Sequence, residues 1–176
     1  SFIFEKSNYM ALSKNCILND EEINYKIRRI AYQIYECNVD ENQVILAGIE
    51  KNGYIFAEKI KNKFEEISNI KGVLCAVKIN KKNPINKVKT SLRCEQYSNK
   101  SVVLIDDVLH SGTTLIYAVK HFLETPLKQI KTAVLVNRNH KKYPVKADFK
   151  GISLSTSINE HVDVEFKGNK SKVVLF

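Results

Sequence analysis

Apolar residues along this chain fall into two alternating patterns, short unbroken runs and longer stretches spaced by threes and fours. The runs at 43–49 (QVILAGI), 72–79 (GVLCAVKI), 102–105 (VVLI) and 130–136 (IKTAVLV) predict strands buried on both faces. Between them lie three stretches at helical spacing: Ile23, Ile27, Ile30, Ala31 and Ile34; Phe56, Ala57, Ile60, Phe64 and Ile67; Leu115, Ala118, Val119 and Phe122. Each predicts a helix with one core-facing stripe. Asn19, with Glu22 three residues on, predicts the cap of the first helix, and Thr125-Pro126 predicts the stop of the third. Strand and helix in alternation predict an α/β fold, a mostly parallel twisted sheet flanked by helices on both faces. Residues 152–166 alternate enough for short additional strands, and 172–176 (KVVLF) reads as one more edge strand. Around Pro84, residues 80–89 carry many lysines and no periodicity, which predicts a mobile loop or a loosely paired ribbon.

The densest chemistry lies at 101–115, SVVLIDDVLHSGTTL. The buried run meets two adjacent carboxylates, Asp106 and Asp107, and then a loop of small residues that opens a helix. Gly112 lets the backbone turn and approach a ligand closely. Amides of Ser111 to Thr114 at a helix start favour an anion, and the hydroxyls of Ser111, Thr113 and Thr114 can add hydrogen bonds to phosphate oxygens. The acids stand where open α/β sheets bind ligands, and they can accept hydrogen bonds from vicinal sugar hydroxyls. The plain structural alternative is a solvated Asp-Asp turn with a helix cap at Ser111 or Thr113. A second strand–loop–helix unit, with Glu50-Lys51-Asn52-Gly53 as its loop, repeats the arrangement more weakly.

Composition adds bounds. The 176 residues suit one domain with a sizeable core, 1–176, in which residues 1–15 are expected to be a peripheral extension and 80–95 a flexible lid. No apolar run approaches the roughly 18 residues of a membrane span, and the start of the chain lacks the pattern of a signal peptide. Cys16, Cys37, Cys75 and Cys94 are widely spaced, which suggests buried free thiols in a reducing cytoplasm. A net charge of +9 suits phosphate-rich ligands or nucleic acid. Lys26, Arg28, Arg29 and Gln33, off the stripe of the first helix, read first as a solvated face.

Residues 102–114 resemble the phosphoribosyl-pyrophosphate (PRPP) signature of type I phosphoribosyltransferases: four apolar residues, two acids, two apolar residues and a small loop closing in Gly-x-Thr. Residues 133–157 (AVLVNRNHKKYPVKADFKGISLSTS) are similar to the pyrimidine-operon attenuator and uracil phosphoribosyltransferase family, with Arg138, His140, Pro144, Ala147-Asp148-Phe149, Gly151 and Thr156-Ser157 at the matching positions. The resemblance covers most of residues 16–166. It implies the type I phosphoribosyltransferase fold with a small hood region, transfer of phosphoribose from PRPP to uracil with Mg2+, and homodimers or higher oligomers. It also implies binding of a messenger-RNA leader, through Arg28, Arg29, Lys141, Lys142 and Lys146.

In site terms, the resemblance implies that Asp106 and Asp107 are catalytic and hold the ribose hydroxyls. His110, Ser111, Gly112, Thr113 and Thr114 would complete the ribose 5-phosphate site, and Glu50, Lys51, Asn52 and Gly53 the pyrophosphate site. The base would lie near Val136, Asn137 and Ile152. The metal would come with PRPP and waters rather than on protein ligands. Lid lysines Lys81, Lys82, Lys87 and Lys89 either meet pyrophosphate or form a solvated charge run. The chain departs from the family in its pyrophosphate loop, Glu50-Lys51-Asn52 where Lys-Thr-Arg is usual. It also has Thr113 where arginine is common, a shorter lid, and His110 where purine-using relatives carry an aspartate proposed as general base. These departures support the alternative of a catalytically weak regulatory protein that binds nucleotide and RNA.

Overall fold

In the computed structural model, residues 15–176 are described; the expected N-terminal extension, apart from Asn15, lies outside them. The chain runs β1 (Asn15–Leu18), α1 (Asp20–Glu36), β2 (Gln43–Ile49), α2 (Asn52–Ile67), β3 (Lys71–Lys78), β4 (Lys89–Thr90), α3 (Cys94–Tyr97), β5 (Ser101–Leu109), α4 (Thr113–Phe122), β6 (Gln129–Arg138), β7 (Phe149–Leu154), β8 (Val162–Glu165) and β9 (Lys172–Leu175). The Asn19 side chain accepts the Glu22 amide at 2.8 Å, so α1 begins where its capping residue puts it.

Six strands form the main sheet in the order β4-β3-β2-β5-β6-β7. All neighbouring pairs are parallel except β3–β4. Side chains alternate across it. Val44, Leu46, Val103 and Ile105 face α1 and α2, whereas Ile45, Ala47, Val102 and Leu104 face Leu115, Ala118 and Phe122 of α4. From β2 the chain steps outward to β3 on one side, then returns to β5 and continues outward to β6 and β7 on the other. The strand order therefore reverses between β2 and β5, and the crevice of such a sheet opens at that switch point, beyond the carboxyl ends of the strands.

A second sheet, β1-β9-β8, is antiparallel and forms the hood. Its Val164 and Val173 join the same buried cluster as α1 and α2, and Phe166 stacks on Phe56 with ring centroids 6.2 Å apart. The expected edge strand at the end of the chain is instead the centre of this sheet, because β1 supplies a partner that its four-residue sequence is too short to announce. The ribbon alternative holds for the lysine-rich segment, whose far end pairs with β3 through Val77–Thr90 and Lys78–Lys89. The expectation of buried thiols fails for three of the four cysteines: Cys75 is buried, but Cys16, Cys37 and Cys94 are exposed, and all four are free.

Candidate active site

The strand expected to stop at Ile105 continues to Leu109, so the acidic pair lies on β5 itself. β2 pairs with β5 only as far as Gly48–Ile105, while β6 stays paired through Leu109–Asn137. One flank of the acids is therefore sheet and the other is open. The alternation of the strand sends Asp106 toward α4 and Asp107 toward α2. Asp106 lines a pocket of about 200 Å³ with His110, Ser111, Gly112, Thr113 and Thr114. Asp107 lines a cleft of about 660 Å³ with Glu50, Lys51, Asn52, Lys78, Lys81, Lys87 and Lys89. Lys81 lines both, so the two cavities adjoin at the end of β5.

Asp106 is 3% exposed. Burial first, and then the neighbouring Asp107 charge, hold its carboxyl well above the usual carboxylate range, against the pull of Lys81. Its Oδ1 accepts the Asp107 amide at 2.9 Å. Asp107 accepts the Val108 amide at 2.8 Å on Oδ1 and the Asn52 side-chain amide at 3.2 Å on Oδ2. Asn52 also donates to Val164 O of β8 at 2.8 Å, so one side chain ties the β2–α2 turn, the acid and the hood together. Among the described residues neither acid is locked in an ion pair, and Asp107 keeps acceptor capacity beyond these two bonds. Gly53 is required by closeness: a Cβ there would stand 2.9 Å from Ile105 O and 3.0 Å from Asp106 Oδ1.

Gly112, not Ser111 or Thr113, caps α4, at φ +85°, a conformation that suits glycine. The capping residues of α4 and α2 make no side-chain cap bond, and apart from the Thr113 amide, which Ser111 Oγ accepts at 3.3 Å, both helix starts present amides toward the crevice. The Ser111 and Thr113 hydroxyls share a hydrogen bond at 2.9 Å. Ser111 O accepts the amides of Lys142 at 2.7 Å and Tyr143 at 3.1 Å, and a Cβ on Gly112 would come within 2.5 Å of Val145. The segment after β6 thus braces the loop from behind.

On the β6 side the residues around Arg138 converge. Arg138 is 3% exposed. Its guanidinium donates to Thr156 Oγ1 at 2.7 and 3.1 Å, to Glu160 O at 2.6 Å, to Ser157 O at 3.4 Å and to His110 Nδ1 at 3.4 Å. His140 Nε2 donates to Thr156 O at 2.7 Å. His110 therefore turns from the phosphate loop toward β6. The resemblance had marked Arg138, His140 and Thr156 without giving them work; here they fasten the β7–β8 connection over the end of the sheet.

Of the expected base residues, Val136 is fully buried in the core and offers the crevice no side chain, and Ile152 packs against the same core. Asn137 donates to Ser153 Oγ at 3.2 Å while its Oδ1 has no partner. The basic residues expected to meet RNA come from α1 and from the segment between β6 and β7. Arg29 is exposed, as expected, and also donates to Lys150 O at 2.7 Å and Gly151 O at 2.6 Å, tying α1 to β7. Arg28 lies over the Tyr32 ring, on the opposite side of the sheet from Val145 and Ala147. Lys142 lies over Tyr143, and Lys146 pairs with Asp148 at 3.6 Å.

Among the described residues, no group of three or more His, Cys, Asp or Glu could hold a metal ion. The larger cleft offers Asp107 and Glu50 among lysines, with Glu50 4.0 Å from Lys78. That donor set fits a hard cation that keeps its waters and arrives on a diphosphate. No helix among the described residues is long and apolar enough to cross a membrane.

Comparison with known proteins agrees with this geometry. The phosphoribosyl transferase domain family matches residues 14–168. The chain belongs to that family. A protein of Fusobacterium nucleatum named Bifunctional protein PyrR is 33% identical over 94% of this chain and 100% of its own length. Proteins of the same name from Streptococcus sanguinis and Clostridium acetobutylicum are 34% and 33% identical over 85% and 86% of this chain, and 88% and 90% of theirs. The chain is accordingly a PyrR-type phosphoribosyltransferase. Its fold matches a hypoxanthine phosphoribosyltransferase of Trypanosoma cruzi at a TM-score of 0.72 and 17% identity, over 92% of this chain and 95% of that one. A hypoxanthine-guanine phosphoribosyltransferase of Bacillus anthracis matches at 0.69 and 19%, over 80% and 82%.

Proposed function

We propose that the phosphoribosyl group of PRPP is transferred here to uracil, giving uridine monophosphate (UMP) and pyrophosphate. One observation carries this: at the switch point between β2 and β5, a hydroxyl-lined, uncapped helix start and a lysine-lined cleft meet at two carboxylates. The 5′-phosphate sits on the amides and hydroxyls of Ser111 to Thr114. Asp106 and Asp107 reach the ribose hydroxyls from the two sides of the strand end. The diphosphate lies in the larger cleft against Lys51, Asn52 and Gly53 at the start of α2, and residues 80–89 close over it with Lys81, Lys87 and Lys89. Displacement at ribose C1 builds negative charge on the departing diphosphate, and positioned cations stabilise it. Mg2+ arriving on the diphosphate would supply further charge neutralisation there, with Asp107 and Glu50 the cleft carboxylates that could hold its water shell. Uracil is preferred to a purine on the resemblance of residues 133–157 and on the PyrR relatives. Incubation with labelled uracil, PRPP and Mg2+ is expected to yield UMP, and hypoxanthine is expected to be a poor substrate. No product from uracil at any pH from 6 to 9 contradicts the proposal.

A second reading, regulation through a messenger-RNA leader, is favoured by the brace behind the phosphate loop. Because Lys142 and Tyr143 bond to Ser111, nucleotide in the loop can bias the exposed Lys141, Lys142 and Lys146. Filter binding to a pyrimidine-gene leader with and without UMP tests it; affinity indifferent to both sequence and nucleotide contradicts it, and a steep salt slope alone shows only phosphate contact. Self-association belongs to the same reading, with Ile116 and Val119 of α4 and exposed Leu123 just after it as an apolar face to cover, and sedimentation decides it. The four free thiols suit a reducing cytoplasm.

A further inference from the structure

Displacement at C1 brings the attacking base and the leaving diphosphate to opposite faces of the ribose. The diphosphate cleft lies on the β2–β3 side of the acids, so the base belongs on the β6 side. The polar side chain at that edge of the phosphate pocket is His110. Its Nδ1 lies 3.4 Å from Arg138 Nη1. A guanidinium can only donate, so Nδ1 must carry the lone pair and the ring proton must sit on Nε2. The distance is long, as such contacts often are before a ligand tightens a site.

The neutral ring is also favoured. Burial first, and then the charges of Arg138, His140 and His161, pull its pKa below the usual histidine value. Those three basic groups face it from β6, from the turn after β6 and from the approach to β8; the Glu160 carboxylate is occupied by the Ser157 amide. A neutral ring with its proton on Nε2 cannot accept a proton there.

We propose that His110 is a specificity-determining residue, held by Arg138 as the Nε2–H tautomer so that it donates a hydrogen bond to an exocyclic carbonyl oxygen of the base. Resting on the phosphoribosyl-transfer reading, this moves His110 from the phosphate to the base. Oxo-pyrimidines satisfy the donor; a ring presenting an amino group at that point leaves two donors opposed and is rejected.

Calorimetric titration with UMP and with ribose 5-phosphate separates the two ideas. The wild-type protein should bind both, UMP more tightly. His110→Ala should lose about tenfold in UMP affinity and leave ribose 5-phosphate unchanged. His110→Gln, whose amide nitrogen falls near Nε2, should stay within about threefold of wild type for UMP. Equal losses for both ligands, or none for either, overturn the assignment while leaving the ribose-phosphate site standing. Failure of the wild type to bind either ligand overturns the functional reading, and this inference with it. Nitrogen-15 NMR of labelled histidine should show the His110 proton on Nε2 with UMP bound; a proton on Nδ1, or on both nitrogens, contradicts the proposal.

Discussion

The two flanks of β5 use positive charge in opposite ways. On the β2–β3 side, Lys51, Lys78, Lys81, Lys87 and Lys89 line an open cleft, and all five are exposed. On the β6–β7 side, Arg138 is buried, and its donors are spent on Thr156, Ser157, Glu160 and His110. Exposed ammonium groups on flexible stems suit an anion that arrives and leaves, whereas a planar guanidinium fixed by neutral acceptors suits a wall that must keep its shape. In the proposed reaction, the soft side takes the leaving group and the rigid side the base.

The rigid side should break hardest. Arg138→Met removes the donors to Thr156 Oγ1, Ser157 O and Glu160 O at once, and is expected to cost about 3 kcal/mol in urea unfolding. A loss under about 1 kcal/mol would mean the β7–β8 connection does not depend on it. Next comes the junction between the flanks. Asp107→Asn removes one charge and one acceptor, and titration calorimetry should show PRPP binding weakened about tenfold. Unchanged binding heat and affinity would remove Asp107 from the site.

Asp106 offers a test of opposite sign. Its folded-state pKa is raised, so the folded form holds its proton more tightly than the unfolded chain. The group therefore favours folding most at low pH, and that stabilisation is lost as pH rises from the ordinary aspartate range through the raised value. At pH 7, Asp106→Asn should raise stability by about 1 kcal/mol, roughly 2–4 °C in Tm for a chain of this size, while impairing PRPP binding. A lower Tm would contradict the burial argument. The smallest effects belong to the soft side: Lys81→Ala or Lys87→Ala should each weaken PRPP binding only about two- to fivefold, shrinking as salt rises. A hundredfold loss from either would erase the contrast between the flanks.

The fold was legible in periodicity because the buried strands are almost purely apolar and the helices carry single stripes. The acids and the small-residue loop were legible because local order, strand then acids then glycine turn, carries its own mechanism. Less visible was what depends on contacts far apart in sequence. Nothing in Asn15–Leu18 reveals that it pairs with residues near position 175. Arg29 reads as solvated, and it is exposed, but its tie to two carbonyls of β7, about 120 residues later, shows only in the fold. Val136, expected near the base, follows the strand's alternation inward, and His110 turns to β6 only because Arg138 waits there. One signal was available: an arginine at the end of an otherwise apolar strand must find acceptors.

The claim beneath all of this is that the end of β5 and the start of α4 together hold a phosphorylated ribose. A crystal structure with PRPP and Mg2+ tests it most directly. The account predicts the 5′-phosphate on the amides of Ser111 to Thr114, the ribose hydroxyls within hydrogen-bond distance of Asp106 and Asp107, and the diphosphate among Lys51, Lys81 and Lys87. A ribose phosphate bound elsewhere, with both carboxylates untouched, would contradict it.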